Sequence, residues 1–422
     1  MGVWLHGETL ANEGMMLSLW FPPRFHRKAR MARATMNLIA GRRRERAHGR
    51  VAAMTNAGAE RALDAWAALR RAFAADHDLF RETAPARRGE RYAHLWPYSQ
   101  VLGAALDLFG LGAVGEDSVR AALAGLARYW DEWVDPHMAS YDSVVRPPLG
   151  RGGDKFYDDN AWVGLHLVRA HRLTGDAAAL RQAQRVFTFI TGGWADDTAS
   201  TAHAGGVYWK LQTARETNRD RNIVSNAPSA ELGLRLHALT GHADTLNWAR
   251  RMWAWAEIHL KDPADGLYWD HLRVNAAGSH IFERTKWSYN QGTMLGACVL
   301  LAEADALSAP SAPSLARARA IAQAGLAYLA ERYPHQDPAF NAIWFRNLLL
   351  LWARLAEDDP LRAAILAALR QHVDWAWATV RDPATGLFRF GGAAAVPLID
   401  QAAMVEMLAC LACPPARYDL IV

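Results

Sequence analysis

Asp158 and Asp159 are adjacent carboxylates set among aromatic residues in Phe156-Tyr157-Asp158-Asp159-Asn160-Ala161-Trp162. Like charges side by side make it costly to ionise both, so one can stay protonated while its neighbour is an anion. A proton donor beside a carboxylate is what glycosidic-bond cleavage requires. A plainer reading competes with this one, because acidic residues are common in the first turn of a helix, where the dipole favours them. The apolar run Val163, Leu165, Leu167 and Val168, ended by Leu173-Thr174-Gly175-Asp176, does put the pair at a helix start. The elements around the pair must decide between decoration and chemistry.

Those elements repeat. Amphipathic segments lie near 53–75, 115–134, 180–190, 243–260, 312–332 and 361–380. In one of them Leu180, Ala183, Phe187 and Ile190 share a face opposite Arg181, Gln182 and Arg185. Each segment precedes a helix that is apolar nearly all round, near 95–110, 159–173, 225–239, 288–304, 340–356 and 398–412. The loops rhyme too: Asp262-Pro263-Ala264-Asp265-Gly266-Leu267-Tyr268 matches Asp382-Pro383-Ala384-Thr385-Gly386-Leu387-Phe388, and Asp135-Pro136 holds the equivalent place. Asp-Pro stops a helix, and the Gly supplies a positive φ that turns the chain towards an aromatic. Almost no stretch alternates like a strand. Six such pairs predict an all-α protein, an (α/α)6 barrel with an apolar inner ring and an amphipathic outer ring.

With one handedness, all six inner helices start at the same end of that barrel. The segments there include His94-Leu95-Trp96-Pro97, Ser225-Asn226-Ala227, Trp287-Ser288-Tyr289-Asn290-Gln291, Phe340-Asn341 and Leu398-Ile399-Asp400. Amides and carboxylates suit sugar hydroxyls, and aromatic faces suit the C–H side of a ring. For Asn226 and Asn341 singly, helix N-capping is the plainer role.

Bulk properties narrow the class. The 422 residues are 51% hydrophobic and 21% charged, enough to bury a large core in a soluble protein. Eighteen tryptophans also fit ligands with flat apolar faces, although any one Trp is more often core. Net charge is only +4, and the basic excess is local: Arg27, Lys28, Arg30, Arg33, Arg42, Arg43, Arg44 and Arg46 stand against Glu45 alone. Residues 1–50 therefore read as a basic N-terminal extension, loosely ordered or a solvated helix, ahead of a single barrel domain over 51–422. Beyond it no basic stripe follows, which argues against nucleic acid as the main partner. Cys410 and Cys413 share a helix face with no second ligand pair, and Cys298 stands apart, so neither a disulfide framework nor a zinc site is expected. No His-Glu-x-x-His or calcium-loop spacing occurs, and no metal or other cofactor is expected. No run reaches the length of a membrane span. The apolar patch Met15 to Phe21 is cut by Pro22-Pro23, which is poor grammar for an export signal, so the expected location is cytoplasmic.

Several motifs in chain order resemble glycoside hydrolase family 76, the endo-α-1,6-mannanases. They are Phe156 to Trp162 with the following Leu-Thr-Gly-Asp, Gly205-Gly206-Val207-Tyr208-Trp209, Ser225-Asn226-Ala227, Trp287-Ser288-Tyr289-Asn290-Gln291-Gly292, and the spacing of Phe340, Ile343, Arg346 and Leu348. The likeness covers roughly residues 60–412. It departs from the family at Tyr98 and Gln100, where Gln and Asn are usual after the Trp-Pro. The resemblance implies the same barrel and hydrolysis of α-1,6-mannosidic linkages with retention, by endo action on a mannose-containing oligosaccharide or polysaccharide. By position it makes Asp158 the nucleophile and Asp159 the general acid/base. Neighbouring carboxylates at a helix start also suit retention on geometry, since about 5 Å leaves no room for an inverting enzyme's water. Rim and motifs together nominate Trp96, Tyr157, Asn160, Trp209, Asn226, Trp287, Tyr289, Asn290, Gln291 and Arg346 as substrate-binding residues.

Other functions share such a barrel. A sugar epimerase or uronyl hydrolase is one alternative, with His94, His203 and His271 as an epimerase's candidate residues. A glycan-binding protein without catalysis is another, and a mannan transglycosylase is a third.

Overall fold

The computed structural model describes residues 57–418 apart from 88, 90, 196–202, 217, 276–278, 307–312 and 393. The expected basic extension over 1–50 lies outside the described residues. Within them twelve α-helices alternate in two rings. The inner helices are α2 (Leu95–Leu111), α4 (Tyr157–Thr174), α6 (Ile223–Thr240), α8 (Ser288–Ala306), α10 (Pro338–Trp352) and α12 (Leu398–Ala412). The outer ones are α1 (Ala57–Phe73), α3 (Glu116–Leu126), α5 (Ala177–Thr191), α7 (Ala243–His259), α9 (Pro313–Leu329) and α11 (Pro360–Thr379). Each inner helix packs on the next around the ring, and α12 returns to α2. This is the (α/α)6 barrel. No described helix is long and apolar enough to cross a membrane.

The pairing within it differs from the order read along the chain. An outer helix packs mainly on the inner helix before it, as α3 does on α2, α5 on α4, α7 on α6 and α9 on α8. These hairpins turn tightly. Gly112, Gly175 and Gly241 follow α2, α4 and α6 at φ of 76°, 80° and 74°, left-handed caps that end each inner helix. The first described outer helix, α1, has no inner helix before it among the described residues and packs on α12, joining the two ends of the described chain. Short strands join the helices, the first being β1 (Thr83–Ala84), and the segment expected to be helical to residue 134 stops at Leu126, because Trp130–Asp131 pairs as a strand, β2, with Ser140–Tyr141, β3.

Long loops therefore all leave at one end, where the inner helices start, and the fourth residue of each inner helix fixes the loop behind it. Asn160 accepts from Tyr141 N (2.9 Å) and donates to Tyr141 O (3.0 Å). Asn226 does the same to Val207 (2.8 and 3.3 Å), Gln291 to Tyr268 (2.8 and 2.9 Å) and Gln401 to Phe388 (2.8 and 2.8 Å). Asn341 donates to Tyr333 O (2.9 Å), and the Tyr98 hydroxyl reaches the Asp78 and Ala122 carbonyls (2.8 and 2.9 Å). A planar amide can satisfy both polar groups of one peptide residue at once, which explains why Asn or Gln fills five of the six positions. The two Asp-Pro loops that rhyme in sequence are the ones held by Gln291 and Gln401, with Gly266 and Gly386 at φ of 74° and 78°.

Truncating Gln291 to Ala would leave the N–H and C=O of buried Tyr268 without partners, an expected loss of about 2–4 kcal/mol. Thermal unfolding followed by circular dichroism checks this. A midpoint equal to that of the unaltered protein would show that the clamp carries no weight.

Candidate functional site

With the fourth residue of each inner helix facing its loop, the second and third residues face the barrel mouth. There Trp96, Asp158, Asp159, Val224, Tyr289 and Phe340 line a cleft of about 440 Å³, together with Phe156, Trp162, Trp209, Asp220, Asn222, Asp270, His271 and Arg273. Tyr289 and Phe340 stack at 3.8 Å between centroids with planes 7° apart, and Trp96 and Trp287 pack against Phe340 at 5.9 and 5.6 Å. The cleft thus combines a flat aromatic face with the carboxylates of Asp158, Asp159, Asp220 and Asp270.

The Asp158–Asp159 pair occupies the second and third positions of α4, whose N-cap Phe156 makes no side-chain capping bond. A neighbouring loop delivers a partner instead. Tyr157 N donates to Trp209 O (3.0 Å), Trp209 N to Asp220 O (2.8 Å), and the Trp209 indole Nε1 to Asp158 Oδ2 (3.1 Å). The Gly205-Gly206 dipeptide lets this loop pass, with φ of 90° and 84°. A Cβ on Gly205 would strike the Trp194 ring at 2.5 Å, and one on Gly206 the Trp255 ring at 2.6 Å. The two glycines therefore serve the placement of Trp209.

This arrangement splits the two acids electrostatically. Burial raises both above the ordinary carboxylate range. For Asp158 the backbone N–H groups of the first turn and the Trp209 indole oppose that rise, and its value reaches about 7. For Asp159 nothing opposes it, and the neighbouring Asp158 charge pushes it higher still. Asp158 is the member that ionises first, and Asp159 keeps its proton. The second oxygen of Asp158, Oδ1, has no hydrogen-bond partner among the described residues.

A third carboxylate faces the same cleft. Asp270 accepts from Asn290 Nδ2 (3.0 Å) and pairs with His271 Nδ1 (2.8 Å). His271 Nε2 lies 3.8 Å from Asp220. Asp270 is close enough for its charge to raise Asp158 further. Asp220, Asn222, Asp270, His271 and Arg273 ride on or beside a small sheet, β4 (Arg221–Asn222), β5 (His271–Val274) and β6 (His280–Glu283). Its strands are two to four residues long, too short for an alternation to stand out in the sequence. Among the described residues no three His, Cys, Asp or Glu side chains are placed to hold a metal ion.

Of the nominated substrate-binding residues, Trp96, Trp209 and Tyr289 line the cleft. Trp287 backs Phe340, and Asn290 holds Asp270. The remaining five lie elsewhere. Asn160, Asn226 and Gln291 are fully buried loop clamps, since the fourth helical position faces away from the mouth. They are not N-caps either: Asn226 sits inside α6, and Asn341 inside α10, where Asp337 is the cap. Tyr157, at the first position of α4, stacks on Phe189 in the core at 4.6 Å. Arg346 lies six residues into α10 beyond Phe340, roughly 9 Å down the barrel. There it binds Asp107 (2.6 and 3.0 Å) and Glu406 (2.6 Å), and Arg169 also reaches Asp107. The three histidines an epimerase would use are dispersed. His271 is in the cleft, His94 lies beside Glu82 at 3.3 Å, and His203 packs with His259 and His280.

Comparison with known proteins adds a lineage to this geometry. The model of the family described as glycosyl hydrolase family 76 matches residues 136–380, more than half of the chain. A mannan endo-1,6-alpha-mannosidase of Candida albicans is 29% identical over 162 residues, 36% of this chain and 35% of the relative. One from Candida glabrata is 26% identical over 191 residues, 41% and 42% of the two chains. The chain thus matches less than half the length of these curated relatives. A family 76 mannosidase structure from Bacteroides thetaiotaomicron superposes with a TM-score of 0.71 at 21% identity, covering 85% of this chain and 98% of its own. An inactive variant of an α-1,6-mannanase from Salegentibacter, in complex with α-1,6-mannotriose, gives 0.68 at 22% identity, covering 84% and 99%.

The electrostatic split predicts opposite shifts for two substitutions, read from aspartate carboxyl resonances in carbon-13 NMR. Trp209→Phe removes a hydrogen bond to the anion and moves the Asp158 midpoint up. Asp270→Asn removes a nearby negative charge and moves it down. Shifts of the same sign would mean that the titration is not governed by these contacts.

Proposed function

The chain belongs to glycosyl hydrolase family 76, and from that premise we propose that it hydrolyses α-1,6-mannosidic linkages within mannan-type glycans, with retention. The observation that carries this reading is the asymmetry of the carboxyl pair, an acid that ionises beside one that keeps its proton. In the first step Asp159 gives its proton to the glycosidic oxygen while an oxygen of Asp158 bonds to the anomeric carbon. The C–O bond breaks, the leaving sugar departs with a free hydroxyl, and a glycosyl ester remains. In the second step the Asp159 carboxylate takes a proton from water, whose oxygen displaces Asp158 from the same carbon. Two inversions give net retention, and both side chains return to their starting protonation.

The aromatic wall of Tyr289, Phe340 and Trp96 supports stacking of a pyranose face. Asp270 and Asp220, in the same cleft, support hydrogen bonding to its hydroxyls. A cleft that continues past Asp159 into a second cavity supports binding within a polymer chain, and hence endo action. The unpartnered Asp158 Oδ1 supports attack by that oxygen, with Trp209 fixing the other.

Linear α-1,6-mannan tests linkage, endo action and hydrolysis together. We expect short oligosaccharides from the first minutes, with proton NMR showing the α-anomer as the initial product. Asp158→Ala and Asp159→Ala each reduce the rate at least about a thousandfold while the helical circular dichroism signal persists. A β-anomer as first product, or near-normal turnover in either variant, would overturn the mechanism.

A further inference from the structure

The cleft continues into a second lobe of about 720 Å³ that shares Trp96, Phe156 and Asp159 with the first. Asp158 lines only the first lobe. This difference orients the substrate. In the mechanism above, the nucleophile bonds to the sugar that is retained, and the acid protonates the oxygen that leaves with the other sugar. The lobe that meets the acid without the nucleophile is therefore the side of the departing, reducing-end portion of the chain. The assignment rests on the proposed function.

The chemistry of this second lobe differs from that of the first. Its ionisable lining is Glu82, His94, Arg151, Asp154 and Asp159. Glu82 accepts from His94 N (2.7 Å) and pairs with the His94 ring. Asp154 pairs with Lys210 Nζ at 2.9 Å, which Glu216 shares at 2.7 Å. Arg151 is exposed, like His94 and Asp154, and unlike them makes no hydrogen bond or ion pair with any described residue. Its loop is nevertheless fixed. Gly150 N donates to Arg146 O and Gly152 N to Val145 O, each at 3.0 Å. A Cβ on Gly150 would meet Val145 O at 2.0 Å, and one on Gly153 would meet Ser143 Oγ at 2.5 Å. Beneath it Lys155 Nζ bridges Asp142 (2.6 Å) and Asp131 (2.8 Å), and Arg146 pairs with the same two acids. A glycine-lined loop held by backbone hydrogen bonds thus presents one unpaired guanidinium to the leaving-group lobe.

We propose that this lobe accepts mannan whose leaving-group sugar carries a phosphate substituent, and that Arg151 is the residue selecting for it. A neutral mannosyl unit offers only hydroxyls, for which an exposed guanidinium gains little over water. A phosphate offers a charge-assisted, two-pronged match to the same group.

The test compares α-1,6-mannotetraose with the same tetraose phosphorylated on its reducing-end sugar, and with one phosphorylated at the non-reducing end. The unaltered enzyme is expected to favour the reducing-end phosphate by about tenfold in kcat/KM, mainly through KM and less so at high salt. Arg151→Gln brings that ratio to about one, and Arg151→Lys keeps part of it. No preference in the unaltered enzyme, or an undiminished preference in Arg151→Gln, would overturn the role of Arg151. An equal preference for the non-reducing-end phosphate would overturn the orientation of the chain. Cleavage of none of the three, with linear α-1,6-mannan also untouched, would instead overturn the mannanase reading and this proposal with it.

Discussion

A buried side-chain amide must find partners for both its donor and its acceptor, and in this barrel the partners are the two polar groups of one loop residue. The constraint recurs at Asn160, Asn226, Gln291 and Gln401, always four residues into an inner helix. It fixes rotation as well as position. An α-helix advances about 100° per residue, so once the fourth residue points at its loop, the second and third must point into the mouth. Asp158, Asp159, Trp96, Tyr289 and Phe340 owe their place in the cleft to that rotation. The loops so held carry the rest of the site: Tyr208–Trp209 follows clamped Val207, and Asp270–His271 follows clamped Tyr268.

The same geometry explains why adjacent carboxylates can divide the labour of acid and base. Both sit in the first turn of α4, both are half-buried in the cleft, and the N-cap Phe156 brings no polar side chain to compete for the turn's N–H groups. Symmetric surroundings would leave them sharing one proton without preference. The asymmetry comes from the first-turn N–H groups, that of Asp159 first, and from Trp209, whose indole can donate but not accept and therefore favours the ionised form of its partner. Asp270 works against this preference, and its own charge is anchored by Asn290 and His271. The cleft thus holds Asp158 near the balance point between anion and acid, a carboxylate whose basicity is raised by desolvation but whose charge still has a dedicated partner.

The sequence was most legible where one period dominates. Apolar runs with Gly just past their ends marked the inner helices to within a few residues, and the repeat of six gave the barrel. The paired aspartates and Trp96, Trp209 and Tyr289 were legible because position on the rim and residue type agreed. Rim position alone misled. Asn160, Asn226 and Gln291 have the chemistry of sugar ligands, and only the rotation of each helix shows that they grip backbone instead. Arg346 was drawn into the site by its place in a motif, yet it lies two turns below the mouth. Asp220 and Asp270 were hidden because each immediately precedes a strand of two to four residues, and those strands pair across about fifty residues of sequence.

The displaced Arg346 makes a broader point about what motif residues do in such a barrel. Its guanidinium joins Asp107 of α2 to Glu406 of α12, while Arg169 of α4 reaches the same Asp107. Buried ion pairs are weak sources of net stability but costly to break singly, because the remaining charge is stranded. A ring of apolar helices could slide or rotate with little penalty if its interior held only interchangeable methyl groups. Charged partners on α2, α4, α10 and α12 remove that freedom at mid-barrel, as the amide clamps do at the rim. The inner helices are thus registered at two levels along the axis, and the Asp158–Asp159 pair sits at the upper one. A residue can be indispensable to such a site while never touching its substrate, by holding the helix that carries the residue that does.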